Sequence, residues 1–101
     1  MIRFTMYREH TTEYHTDAHQ NPPDEPQFQG VIFDDGSCVL RWLTPLRSTS
    51  VWDDFATAMG VHGHPEYGSK IEFHDQPSAY QRASMPEWIR DQLKEGKPMP
   101  Y

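Results

Sequence analysis

A chain of 101 residues that is 36% hydrophobic and carries 9 prolines has room for one domain with a modest core, which argues against a large catalytic cleft. Its formal charge of -6 argues against general affinity for nucleic-acid phosphates or an anionic membrane surface, and leaves open an acidic binder of basic protein surfaces or a mimic of nucleic acid. The lone Cys38 permits neither an intrachain disulfide nor a multi-cysteine zinc site, the N-terminus lacks the apolar segment of a signal peptide, and no run approaches the roughly 20 apolar residues of a membrane span, so a cytoplasmic protein is expected.

Residues 2–7 place Ile2, Phe4 and Met6 on one side and Arg3, Thr5 and Tyr7 on the other, the period of two of a half-buried strand. Thr11, Thr12 and Tyr14 are still β-permissive and allow that strand to continue as a ribbon edge. The segment HTDAHQNPPDEPQ, residues 15–27, has three prolines and no apolar period, so it reads as a flexible Pro-rich linker or plain surface loop. Phe28, Val31, Ile32 and Phe33 then form a strand that runs into Asp34-Asp35-Gly36, and Asp-Gly between two β-rich runs predicts a hairpin with a type I′ turn. The return strand, residues 37–43, is apolar on both faces and should lie inside the sheet. After Thr44-Pro45, residues 46–52 offer a shorter third strand.

Asp53 is suited to cap a helix with Asp54 in its first turn and Phe55, Ala58 and Met59 as its buried stripe, ended by Gly60 or Gly63 in the left-handed conformation. A turn at His62-Gly63-His64-Pro65 leads to a last strand over residues 69–74, where Ile71 and Phe73 alternate with polar neighbours. Ser84 and Glu87 have capping-box spacing, Pro86 fits a first helical turn, and Trp88, Ile89 and Leu93 share a face, which predicts a C-terminal helix closed at Gly96 and stopped by Pro98 and Pro100. The fold class is therefore α+β: a small antiparallel sheet of three to five strands with a ββ(β)αβ core, one short helix and a C-terminal helix. Its parts are an N-terminal strand or ribbon (1–14), the linker (15–27), the core (28–75), and a link with the last helix (76–101).

Three features bear on chemistry. Arg41 and Arg47 stand near the hydroxyls of Ser48, Thr49 and Ser50, and guanidinium forks with hydroxyl donors suit phosphate or carboxylate oxygens. No Gly-rich loop precedes a helix, and the competing role is an Arg41 that pairs with an acidic neighbour beside an ordinary edge strand. His62 and His64, with His74 or Asp75, could ligate a metal, but no HExxH helix or paired cysteine accompanies them, so backbone hydrogen bonds at the helix exit are the expected role and no metal or cofactor is assigned. Cys38 lies mid-strand as an inert thiol, the serines lack a nucleophile elbow, and no acid/base constellation is recognisable, so a non-enzyme is expected.

The ordered pieces VIFDDGSCVLRWL, RSTSVWDD, VHGH and KIEFHD, spanning residues 31–75, resemble a group of small proteins carried by phages and prophages of actinobacteria. That resemblance implies a phage origin and action in the host cytoplasm, with no reaction attached. The leading expectation is an accessory protein that binds a host protein and modulates host physiology or defence, its aromatic residues serving as anchors. The alternative is a binder that sequesters an anionic nucleotide through Arg41, Arg47, Ser48, Thr49, Trp52, His62 and His64, and the second alternative is a metal-assisted enzyme. Direct nucleic-acid or membrane binding is not expected.

Overall fold

The computed structural model describes residues 1–9 and 20–94. The expected continuation of the first strand over residues 10–14, the start of the linker at 15–19, and the helix stop at Gly96, Pro98 and Pro100 lie outside the described residues. Five strands form one antiparallel sheet: β1 (Ile2–Arg8), β2 (Phe28–Ile32), β3 (Cys38–Trp42), β4 (Thr49–Trp52) and β5 (Ser69–Phe73). Their order is β4-β3-β2-β1-β5, so the N-terminal strand lies between β2 and β5 rather than beside the unit formed by the other four. The register sets Phe4 opposite Gly30 on one side and Phe73 on the other, while Gly30 faces Leu40.

Alternation along the strands divides the sheet into two faces. Ile2, Phe4, Met6, Phe28, Ile32, Cys38, Leu40 and Phe73 all point to one layer and are buried. Against them pack Phe55, Ala58 and Met59 from α1 (Phe55–His62), Met85, and Ile89 from α3 (Glu87–Lys94). Phe4 stands at the centre, edge-on to Phe55 at 5.3 Å and to Phe73 at 6.3 Å between ring centroids. Gly30 makes room for it: a Cβ at position 30 would lie 2.3 Å from Phe4 Cζ and 2.6 Å from the Val39 carbonyl oxygen.

Local signals shift by a residue or two from the sequence reading. The β2–β3 turn is not type I′, because Asp34 and Asp35 keep negative φ and only Gly36 is left-handed at 91°. The Gly36 amide donates to the Phe33 carbonyl at 2.9 Å and Asp35 Oδ1 accepts from the Ser37 amide, so the left-handed requirement falls on one residue, where glycine already stands. Asp54, not Asp53, caps α1 by accepting from the Thr57 amide at 2.7 Å. Gly63 ends α1 in a right-handed conformation, and the left-handed residues are His64 and Gly68, which bracket a 3-10 turn at Pro65–Tyr67. The capping box sits one element earlier than expected, at Ser78 and Gln81, and starts α2 (Ala79–Ala83), a helix the sequence reading left out; Ser84 ends that helix. Ahead of β2 the chain is pinned by Gln27, whose buried amide bonds both the N–H and the carbonyl of Asn21, while Asn21 bonds the carbonyls of Pro26 and Leu43.

The two sheet edges differ. The outer backbone of β5 is closed by α3: Gln92 Oε1 accepts from the Ile71 amide at 3.1 Å and Gln92 Nε2 donates to the Ser69 carbonyl at 2.9 Å. One side chain thus stands where a sixth strand would.

Candidate functional site

The helices cover one face of the sheet, and the side chains of the other face are Arg3, Thr5 and Tyr7 of β1, Gln29 and Val31 of β2, Val39 and Arg41 of β3, Thr49 and Val51 of β4, and Lys70 and Glu72 of β5, with His74 just beyond. A hollow of about 480 Å³ lies on this face, within the ~300–1,000 Å³ range of small-molecule sites. Arg3, Gln29, Val31, Val39, Arg41 and His74 line it. Phe4 and Gly30, whose side-chain positions belong to the helix layer, contribute main chain to its floor.

The polar groups around the hollow are held in place. Thr5 Oγ1 lies 2.6 Å from His74 Nε2, and Gln29 Nε2 donates to the same hydroxyl at 3.5 Å, a chain of contacts from β2 across β1 to the residue that follows β5. Arg3 grips Asp75 with Nε to Oδ2 at 3.0 Å and Nη2 to Oδ1 at 3.0 Å. The clamp holds the Asp75 carboxyl down to a pKa of about 2. Next along the same face, burial and the neighbouring Glu72 carboxylate push the Tyr7 hydroxyl above its ordinary value. Arg41 is different: its Nη1 donates to Thr49 Oγ1 at 3.0 Å, and no carboxylate among the described residues neutralises it. Its remaining N–H groups face solvent at the rim of the hollow, a fork suited to phosphate or carboxylate oxygens.

On the helix side, Arg8 is the only charged residue buried among the described residues, at 4% exposure. Its Nη2 donates to the His62 carbonyl at 2.5 Å, and the rings of Phe28, Trp42 and Tyr67 lie 5.9, 5.7 and 5.5 Å from its guanidinium carbon. Burial lowers its pKa, but an arginine retains its charge, here placed against the negative end of α1 and three ring faces. The His62 ring stands edge-on to Trp42 at 5.2 Å and Trp52 at 5.5 Å; burial, then the Arg8 charge, holds it below its ordinary value and so neutral at pH 7. His64 stacks on Tyr67 at 4.7 Å and meets Glu66 Oε1 at 2.8 Å, a contact that lowers the Glu66 pKa. These groups satisfy one another and fix the α1–β5 junction.

The residues singled out in the sequence therefore fall into two sets. Arg41 and Thr49 meet on the open face, and Arg47 and Ser48 are exposed in the β3–β4 connection. Trp52, His62 and His64 belong to the opposite side, with Trp52 Nε1 bonded to Ser50 Oγ at 2.9 Å. His74 points away from His62, and among the described residues no three His, Cys, Asp or Glu side chains are grouped to hold a metal ion. Burial pushes the Cys38 thiol up to about 12. Sequence reasoning passed over Arg3 and Gln29 as site residues; Arg3 was visible on the polar side of an alternating run, whereas Gln29 stands in a run with no clean alternation, and only strand order reveals that the two strands are neighbours.

Residues 28–75, just under half of the chain, match the family model described as Acb5 phage protein, and the chain is similar to that phage family over this segment. The match begins at β2 and ends just after β5, so it takes in Gln29, Arg41 and His74 and leaves β1 outside. No curated protein and no solved structure matches the chain. Among the described residues no helix is long and apolar enough to cross a membrane.

Proposed function

We propose that this chain is a phage accessory protein that acts by binding, and that its open sheet face takes a small anionic ligand of the nucleotide class. The observation that carries this reading is Arg41: a guanidinium without a carboxylate partner among the described residues, at the rim of a hollow of about 480 Å³ whose Val31 and Val39 offer an apolar surface to a ring. Binding rather than catalysis is favoured because Arg3 is committed to Asp75, His74 contacts Thr5, and the only thiol is buried with a pKa of about 12. A protein partner in the host is the lesser reading. Exposed large apolar side chains at Phe33, Leu46, Val51, Val61 and Tyr80 are distributed over different elements and loops rather than gathered as an interface core.

The test is a thermal-shift and calorimetric titration of the full chain with AMP, GMP and inorganic phosphate. A nucleotide at a hundred times its Kd should stabilise the fold by about 2.7 kcal/mol, and Arg41→Ala should remove most of that gain without changing the unliganded melting temperature. Absence of any shift with either nucleotide at millimolar concentration refutes the ligand reading.

A further inference from the structure

Among the described residues no backbone pairs with the edge of the sheet opposite α3, and the geometry of that edge suits one particular strand. The Trp42 amide donates to the Ser48 carbonyl at 2.9 Å, so in the antiparallel β3–β4 ladder the backbone groups of Ser48, Ser50 and Trp52 turn inward to β3. Those of Thr49 and Val51 consequently turn outward, and among the described residues none of them is hydrogen bonded, in contrast to β5, where Gln92 occupies the equivalent groups. Val51 on this edge is 75% exposed. Such an edge is a template for strand addition.

We infer that β4 pairs with β4 of a second copy of this chain, antiparallel about a two-fold axis at Ser50, to make one continuous sheet across the dimer. Several two-fold registers satisfy the outward groups, but only the one centred on Ser50 sets Arg47 of each copy opposite Asp53 of the other. In that register Thr49 and Val51 of opposite copies exchange both backbone hydrogen bonds, twice over, and each exposed Val51 is covered by a Thr49 methyl. The flanking charges are complementary and available: Arg47 and Asp53 are both exposed, and among the described residues neither is in an ion pair. Asp54, which caps α1, is not used. The sequence RSTSVWD thus has its cation and its anion equally far from the central serine, the arrangement an isologous interface needs.

Sedimentation velocity of the full chain over a concentration series up to roughly millimolar, the range in which short interfaces associate, tests this. A reversible monomer–dimer equilibrium is expected. Arg47→Glu and Asp53→Arg should each weaken the dimer by about tenfold or more through like-charge contacts, and the double variant should return to near the parent affinity. Val51→Pro removes an outward N–H while leaving the inward ladder, and should give a monomer with an unchanged circular dichroism spectrum. A chain that stays monomeric over the whole range overturns the inference. So does a dimer whose affinity ignores both charge reversals, whatever Val51→Pro does to the fold.

Discussion

Gly30→Ala puts the packing of the sheet to a direct test. In an ordinary strand the change is favourable, because glycine loses more backbone freedom on folding, by about 0.5–1 kcal/mol. Here the added methyl would stand 2.3 Å from Phe4 Cζ and 2.6 Å from the Val39 carbonyl oxygen. The first neighbour is a ring locked between Phe55 and Phe73, and the second is backbone of the adjoining strand, so neither can swing aside. Overpacking of a filled core costs about 1–3 kcal/mol, and two immovable neighbours place this site at the upper end. A net loss of about 2 kcal/mol should follow, read in a domain of this size as a fall in melting temperature of roughly 8–16 °C by circular dichroism. Phe4→Leu withdraws the ring tip, so a double-mutant cycle should show the two changes coupled by about 1 kcal/mol or more. A Gly30→Ala protein as stable as the parent, or more so, refutes the argument.

Two further expectations concern the β5 edge and the Arg3 clamp. Gln92→Leu keeps the bulk of the side chain but strands the Ile71 amide and the Ser69 carbonyl, which should cost about 1–3 kcal/mol and speed hydrogen exchange at Ile71; unchanged protection there would show that α3 does not close the edge. Arg3 depresses the folded-state pKa of Asp75 from 3.8 to about 2, so its stabilisation is complete above the unfolded value and is lost as the pH falls through that window. The melting temperatures of the parent and of Asp75→Asn should therefore differ most at about pH 5 and converge toward about pH 2, and a difference that does not depend on pH would remove the ion pair from the account.

The elements themselves were legible because their periods are clean. Ile2, Phe4 and Met6 alternate with polar residues, Phe55, Ala58 and Met59 share a helical face, and all six are buried. The α1 boundary slipped by one residue because its neighbours Asp53 and Asp54 offer the same chemistry, and the capping box was assigned to the wrong helix because Ser84 with Glu87 has the same spacing as Ser78 with Gln81. The site was less legible. Arg41 and Thr49 were singled out and do meet, but nothing local states that Arg3 is two strands away across β2, or that Trp52 and His62 face the other way. Strand parity separates Thr49 from Trp52, whereas spacing alone had grouped them. Much of the aromatic content that suggested an interface is spent inside the fold: Phe28, Trp42 and Tyr67 surround the buried Arg8, and Phe4, Phe55 and Phe73 pack on one another in the core.

The position of β1 also bears on how the chain is assembled. The segment shared with phage proteins, residues 28–75, supplies β2 and β5 but not the strand that separates them, and two ladder spacings of ~4.8 Å leave a slot nearly 10 Å wide between those two. Excised on its own, that segment would present two raw margins facing an empty lane instead of a finished sheet. β1 can complete its pairing only when β5, more than sixty residues further along the chain, is in place, which makes residues 1–9 the keystone of the sheet and the stretch after them a natural place to split it into two complementing pieces.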